Sequence, residues 1–315
     1  MATEIVWASD RLSLYQVLEQ RNEQVTFPAR QMVWFIMSGL IKGGKIYVDQ
    51  WPKFQHVCCL HPTSVYAADS DRDFATVVTT DQDGQSIGDN TNSLKAFMQS
   101  LVKECRWATR EGVILFYVTE TVVRLARELL APHSKEEESV WISQPLRHFT
   151  ACEYGNLGEY ERRRVESFAR IDPTLIVDQL RPHDAETVAK NWHYNIPDKA
   201  AMFAWLMSIL PSVCIREPGT HRPLSWVLAY SCGASGAAFV IPEWRGRGLA
   251  EAQTFQLTVD LMKVCPTKRF FWKLDDNVAS LKNARKIYFD MERSDLYVHI
   301  FVYNSSKGKV VTAKM

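Results

Sequence analysis

Apolar residues at Leu94, Phe97, Met98, Leu101, Val102 and Cys105 fall on one side of a 3.6-residue period. The spacing predicts an amphipathic helix, with Thr91, Asn92 and Ser93 suited to capping its start. The run from 112 to 118 is continuously apolar after Gly112 and predicts a buried strand. Residues 120 to 130 return to helical spacing through Val122, Val123, Leu125 and Leu129. In the second half, an apolar stretch ending at Val240 and Ile241 precedes a helical pattern through Phe255, Leu257, Leu261 and Met262. A further strand is predicted over 270 to 274. Strands alternating with helices imply an α/β protein.

Two stretches break this periodicity. Residues 132 to 139 (Pro-His-Ser-Lys-Glu-Glu-Glu-Ser) are polar and charged and predict a solvated loop. Gly155 and Gly158 lie before or within a charged segment ending at Arg164, and the junction is expected there, giving domains 1–155 and 156–315. A weak internal echo links Trp51-Pro52, before Val57-Cys58-Cys59-Leu60, to Leu210-Pro211, before Val213-Cys214-Ile215. If the halves share an ancestral unit, a helix ends at each proline and feeds a buried strand.

At 315 residues with 46% hydrophobic and 11% aromatic content, the chain can bury a large core. Its 37 basic and 36 acidic residues leave a net charge of +1, so no global field draws nucleic acid or an anionic membrane. The expected partner is a small molecule. No apolar run approaches the roughly 20 residues that span a bilayer. The seven cysteines are odd in number and lack C-x-x-C spacing, which predicts reduced, mostly buried thiols. His56, Cys58, Cys59 and His61 sit on an apolar strand-like run rather than in a ligand cluster, so no metal is expected.

The segment from Ala237 to Ala250 (AAFVIPEWRGRGLA) carries the chemistry. It reads as strand, tight loop and helix. Gly246 and Gly248 let the backbone turn and approach a ligand, leaving loop N–H groups and a helix N-terminus for a pyrophosphate. Arg245, Gly248 and Ala250 form an R-x-x-G-x-A arrangement after a Val-x-Pro strand end. It resembles the coenzyme A signature of the Gcn5-related N-acetyltransferase superfamily. Downstream, Asp275, Asp276, Asn277, Val278, Ala279 and Ser280, followed by Lys286, Ile287, Tyr288 and Phe289, are similar to that superfamily's next motif.

Further stretches resemble the glycine N-acyltransferase family: residues 47 to 58, 188 to 194, 203 to 210 and 225 to 228. The resemblance implies an acetyltransferase-like α/β fold, with a mixed central sheet flanked by helices and two related halves. The C-terminal domain would hold acyl-CoA as co-substrate, with the sheet splayed around the loop. Phe239, Val240, Arg245, Gly246, Arg247, Gly248, Leu249, Ala250 and Asn277 would bind it. Asn277 would reach the pantetheine arm or cap a helix, and Trp51, Trp192 and Trp226 would pack in the core.

Amide formation needs a group to accept the proton of the attacking amine. The family's glutamate base falls at Ala234 in this sequence, and the superfamily's usual tyrosine acid falls at Ala284. The remaining candidates are His193, Ser235, Cys232 and Tyr230. His193 has the most suitable unperturbed pKa, near ~6.5, and His193 and Ser235 are taken as the catalytic pair. The resemblance implies transfer of an acyl group from acyl-CoA to glycine or another small amino acid. The alternatives are acetylation of a different amine and a catalytically silent acyl-CoA binder. It also implies a mitochondrial protein, whereas Glu4 and Asp10 against a single Arg11 make no readable transit segment, which favours the cytoplasm.

Overall fold

The computed structural model describes residues 1–21, 26–80, 91–133, 146–151, 157–194, 196–265, 269–273, 278–287 and 293–304. The chain divides into two compact units, residues 1–146 with 296–315, and residues 147–295.

The first unit runs β1 (Thr3–Glu4), α1 (Ala8–Arg21), α2 (Phe27–Met37), β2 (Lys45–Val48), β3 (His56–Pro62), β4 (Arg72–Thr79), α3 (Thr91–Glu104), β5 (Gly112–Thr119) and α4 (Glu120–Leu130). Strands β1 to β4 pair antiparallel in sequence order. β4 and β5 pair parallel, Arg72 opposite Gly112 through Ala75 opposite Leu115. Because side chains alternate along a strand, Tyr47, Cys58, Leu60, Ala75, Val77, Val113 and Leu115 share one face. They pack under Leu94, Phe97, Met98 and Leu101 of α3 and Val122, Leu125 and Ala126 of α4. Each large apolar side chain buried there contributes about 1.5–3 kcal/mol. On the opposite face the Cys59 thiol donates to the carbonyl of Ala29 in α2.

The helix expected over the 94 to 105 periodicity is α3, but Thr91, Asn92 and Ser93 form its first turn instead of preceding it. Thr119 does cap α4, accepting from the Val122 amide at 3.5 Å. His56 and His61 turn inward to different partners. His56 lies between Thr79 Oγ1 (3.1 Å) and Ser93 Oγ (2.6 Å). His61 stacks on Phe74, and burial lowers its pKa to about 4. Six cysteines are buried and free; Cys152 lies outside the described residues.

The next strand is β6 (Leu146–Ala151), followed by α5 (Leu157–Phe168), β7 (Ile176–Asp178), α6 (Ala185–Lys190), α7 (Lys199–Ile209), β8 (Ser212–Arg216), β9 (Pro223–Ala229) and β10 (Ser235–Val240). Then come α8 (Leu249–Val264), β11 (Arg269–Lys273), α9 (Val278–Ile287) and β12 (Arg293–Asn304). Strands β10, β9, β8 and β7 form an antiparallel sheet in that order, and β11 pairs with β6. From β1 to β6 the order β-α-α-β-β-β-α-β-α-β is the same as from β7 to β12, with α5 between. The two halves therefore repeat one element order, as expected.

The partition differs from a cut at 155/156 in two respects. β6 pairs with β11 in the second unit, and residues 298 to 304 of β12 pair with β5 in the first, so the last strand of each half lies in the other unit. The segment 159 to 164 is helical, part of α5, because Arg162 bridges Glu159 and Glu166, and Arg163 bridges Glu159, at spacings that face each other on a helix. The proline echo also needs correction. α7 does end before Pro211 and feed β8, but Pro52 joins β2 to β3. By element order the counterpart of β8 is β2, so the echo aligned the wrong strands.

Candidate active site

The loop between β10 and α8 is positioned from below by α8, which is buried along most of its length. Gln253 of α8 donates to the Trp226 carbonyl at 3.0 Å and accepts from the Ser225 hydroxyl, fixing the helix to β9. Ile171, Leu175, Ile215, Leu224, Leu249 and Ala252 close around the start of the helix. The loop leaves β10 through a short 3-10 turn, Pro242–Trp244. The Arg245 amide donates to Pro242 O at 3.2 Å and its Nε to Val240 O at 3.0 Å.

Gly246 (φ +77°) and Gly248 (φ +81°) adopt left-handed backbone. A Cβ on Gly246 would meet nothing within 4 Å, and one on Gly248 only Ile171 Cγ2 at 3.6 Å. Backbone conformation rather than crowding therefore requires glycine here. Among the described residues the amides of Leu249, Ala250 and Glu251 have no acceptor, and the first bonded amide of α8 is Ala252, to Gly248 O at 3.1 Å. Arg245 and Arg247 are exposed beside them. Each also covers a ring: Arg245 that of Phe239 (5.6 Å) and Arg247 that of Trp244 (4.5 Å). Free amides, a helix N-terminus and two guanidinium groups give this loop the chemistry to hold an anion.

β10 adjoins the loop and pairs only with β9 among the described strands; β11 comes near its other edge but bonds to β6. This is the splay expected around the loop. The β10 register slips between Gly236 opposite Leu228 and Phe239 opposite Trp226, so β10 spends one residue more than β9, a bulge. Ala237 sits in it at φ +49°. A Cβ on Gly236 would lie 2.0 Å from Tyr230 Cε2, so glycine is what lets the Tyr230 ring lie against the strand. The Trp192 ring lies 6.2 Å from that of Tyr230, and burial pushes the pKa of the Tyr230 hydroxyl far above the ordinary range. Trp192 packs edge-on against Tyr194 (4.9 Å) and Phe203 (5.1 Å), completing an aromatic wall behind the bulge.

The predicted residues divide accordingly. Arg245, Gly246, Arg247 and Gly248 form the exposed loop. Leu249 and Ala250 offer their amides, while the Leu249 side chain is buried. Phe239 stacks on Trp226 (5.0 Å) and Val240 packs against the cluster beneath α8, so these two commit their side chains to the interior. Asn277, with Asp275, Asp276 and Tyr288, lies outside the described residues.

Ala234 is fully buried in the β9–β10 turn, its carbonyl accepting from the Tyr230 amide at 2.9 Å. Ser235 opens β10 opposite Ala229. Burial pushes the Cys232 thiol well above its ordinary range, so it stays protonated, as Tyr230 does. His193 is exposed, its ring 4.0 Å from that of Tyr194. The bulge at Gly236 and Ala237 was not anticipated; the signal was Gly236 inside a strand pattern.

No protein-family model matches the sequence, and no curated protein matches it. A Drosophila protein of known crystal structure, 13% identical, aligns over 98% of this chain and 99% of its own with a TM-score of 0.65. At that identity the similarity speaks to the fold alone. A tandem GNAT protein from the clavulanic acid biosynthesis pathway aligns over 96% of this chain and 98% of its own, with 10% identity and a TM-score of 0.49. A GCN5-related N-acetyltransferase from Kribbella flavida aligns over 87% and 93%, with 14% identity and a TM-score of 0.43.

Proposed function

We propose that the unit spanning 147–295 transfers an acyl group from acyl-CoA to an amine. The observation that carries this reading is the loop from Ile241 to Gly248. It carries two left-handed glycines and two exposed arginines, follows the bulged, half-paired β10, and leads into the unbonded amides of residues 249 to 251 at the start of the long helix α8. The amides of residues 249 to 251, with Arg245 and Arg247, would hold the pyrophosphate. The unpaired edge of β10 would receive the pantetheine amides as an added strand does. The aromatic wall of Trp192, Tyr194 and Tyr230 would exclude water from the thioester.

The acceptor is a small amino acid, glycine first, because the segments around Trp192 and Trp226 resemble the glycine N-acyltransferase family. His193, exposed beside this wall, would take the proton of the attacking amine. Mass spectrometry of products from a panel of acyl-CoAs and amino acids tests the reaction. A His193 base puts an inflection near neutrality in the pH profile of thiol release. His193→Gln should remove it and slow the reaction about 10²-fold. A profile that keeps rising toward the amine's pKa, unchanged by the substitution, would remove His193 from the mechanism.

A second reading, an acyl-CoA binder without chemistry, is favoured by Ala234. At the position of the family's glutamate stands a methyl group at 0% exposure. Binding of acyl-CoA with no amine accelerating thiol release would decide for it.

A further inference from the structure

A cavity of about 390 Å³ opens in the first unit where α3 ends, with Tyr47, Leu60, Pro62, Glu104, Arg106 and Arg110 among its lining residues. The end of α3 is a Schellman turn. The Arg106 amide donates to Lys103 O (3.2 Å) and the Trp107 amide to Val102 O (3.1 Å). The residue between must take left-handed backbone, and it is arginine, at φ +57°, where glycine is the unstrained choice. Its carbonyl is pinned by the amides of Thr109 and Arg110, both at 3.0 Å, and by Thr109 Oγ1 at 3.2 Å. A strained residue held this firmly points to a role for its side chain.

The cavity's other charges are mostly committed. Arg110 bonds Asp71 (2.6 Å) and Asp73 (3.0 Å), Trp107 Nε1 donates to Asp73 (2.8 Å), and Lys45 reaches Glu4 at 3.5 Å. Among the described residues Glu104 and Arg106 have no ion-pair partner, and both are exposed at the rim. The lining therefore offers one uncommitted anion and one uncommitted cation above an apolar wall of Tyr47, Leu60 and Pro62.

We propose that this cavity binds a small zwitterion, a free amino acid or a close analogue. Arg106 takes the carboxylate through its planar fork, Glu104 takes the ammonium group, and the apolar wall takes the side chain. The lining residues all belong to the first unit, and the proposal does not rest on the acyl-transfer reading.

Calorimetry on the full chain with free α-amino acids, their N-acetyl forms and their amides tests the proposal. At least one free amino acid should bind, with both blocked forms at least about tenfold weaker, since each loses one charge-assisted contact. Arg106→Gly should weaken binding by at least about tenfold and raise the melting temperature by about 2–4 °C, because it removes the backbone strain. Glu104→Gln should weaken the free amino acid while leaving its N-acetyl form unchanged. Gly248→Val should leave this binding intact. Failure of every amino acid to bind overturns the proposal, as does unchanged affinity in Arg106→Gly. Loss of binding in Gly248→Val would do the same, placing the amino acid at the loop instead.

Discussion

The two halves run through the same order of elements and differ at the corresponding fourth strand. β4 pairs antiparallel with β3 from Asp73 to Thr79 and parallel with β5 from Arg72 to Ala75, without a register shift, and seven of its eight residues are buried. β10 pairs on one edge, carries a bulge, and has no fully buried residue. The connections that follow differ in kind too: Asp81, Asp83 and Asp89 precede α3, whereas Arg245 and Arg247 precede α8. One element order can thus give a sheet that continues past its fourth strand or one that ends at β10, and in the second the amides of residues 249 to 251 are left for a ligand. Opening an edge forgoes ladder hydrogen bonds, so the second unit must be held elsewhere.

That other support lies at the far side of its sheet. Arg216 is buried and bonds Asp184 (2.7 and 3.2 Å), Asp178 (3.1 Å) and the Gln179 carbonyl (2.8 Å). The largest expected effect is therefore Arg216→Ala, which strands a buried carboxylate and should cost the second unit about 3–5 kcal/mol. Hydrogen exchange should show the loss in 147–295 and not in the first unit. Equal loss in both would end the view that the halves are held independently.

Next is Gly248→Val. It forces a branched side chain into left-handed backbone at the helix start and should weaken coenzyme A binding by about 100-fold, or ~2.7 kcal/mol. Unchanged affinity by calorimetry would remove the loop from the site and the functional contrast between the halves with it.

A smaller effect concerns acid. For Asp184 burial opposes ionisation, but the Arg216 and Arg181 hydrogen bonds outweigh it and hold its pKa below the ordinary carboxyl value. For Asp73 burial wins over Arg110 and Trp107, and its pKa is raised. Asp184 thus contributes stability above the unfolded value of about 3.9 and loses it as pH falls through its lower folded pKa. Asp73 has the opposite sign, its contribution being present at low pH and lost as pH rises through the raised value. Asp184→Asn should cost about 1–3 kcal/mol at pH 7 and flatten the acid limb of the second unit's stability curve. Asp73→Asn should leave that limb unchanged. Urea midpoints between pH 3 and 7 would show this, and identical acid limbs for the two variants would refute it.

The smallest effect is Arg247→Ala. An exposed guanidinium should be worth about threefold to tenfold in coenzyme A affinity at low salt, shrinking as ionic strength rises. An effect independent of salt would mean that Arg247 acts by packing on Trp244 rather than by charge.

Much of this organisation could be read in the sequence. The period of Leu94 to Leu101 and the run from 112 to 118 correspond to α3 and β5, and glycines 246 and 248, expected to let the backbone turn, both adopt left-handed backbone. The charged segment from Glu159 to Arg164, expected to mark a junction, is helical, and charge density alone does not reveal that Arg162 and Arg163 meet glutamates on a helix face. The internal repeat was sensed at the prolines but misaligned by one strand, because a proline marks a boundary and not which boundary.

The sequence by itself determined local matters: the helices and strands with a clear apolar period, the turn at Gly246 and Gly248, and that Ala234 carries no proton acceptor. These follow from side-chain chemistry and spacing within a few residues. Only the tertiary structure decided that β6 and β12 change units, that among the described strands β10 pairs with β9 alone while β4 pairs with β3 and, over residues 72 to 75, with β5, and that Gly236 yields its space to Tyr230. It also decided that Arg106 and Glu104 share a cavity with a buried ion pair. Strand pairing and cavity walls join residues far apart in the chain, and no local period records which distant partner a strand edge will meet.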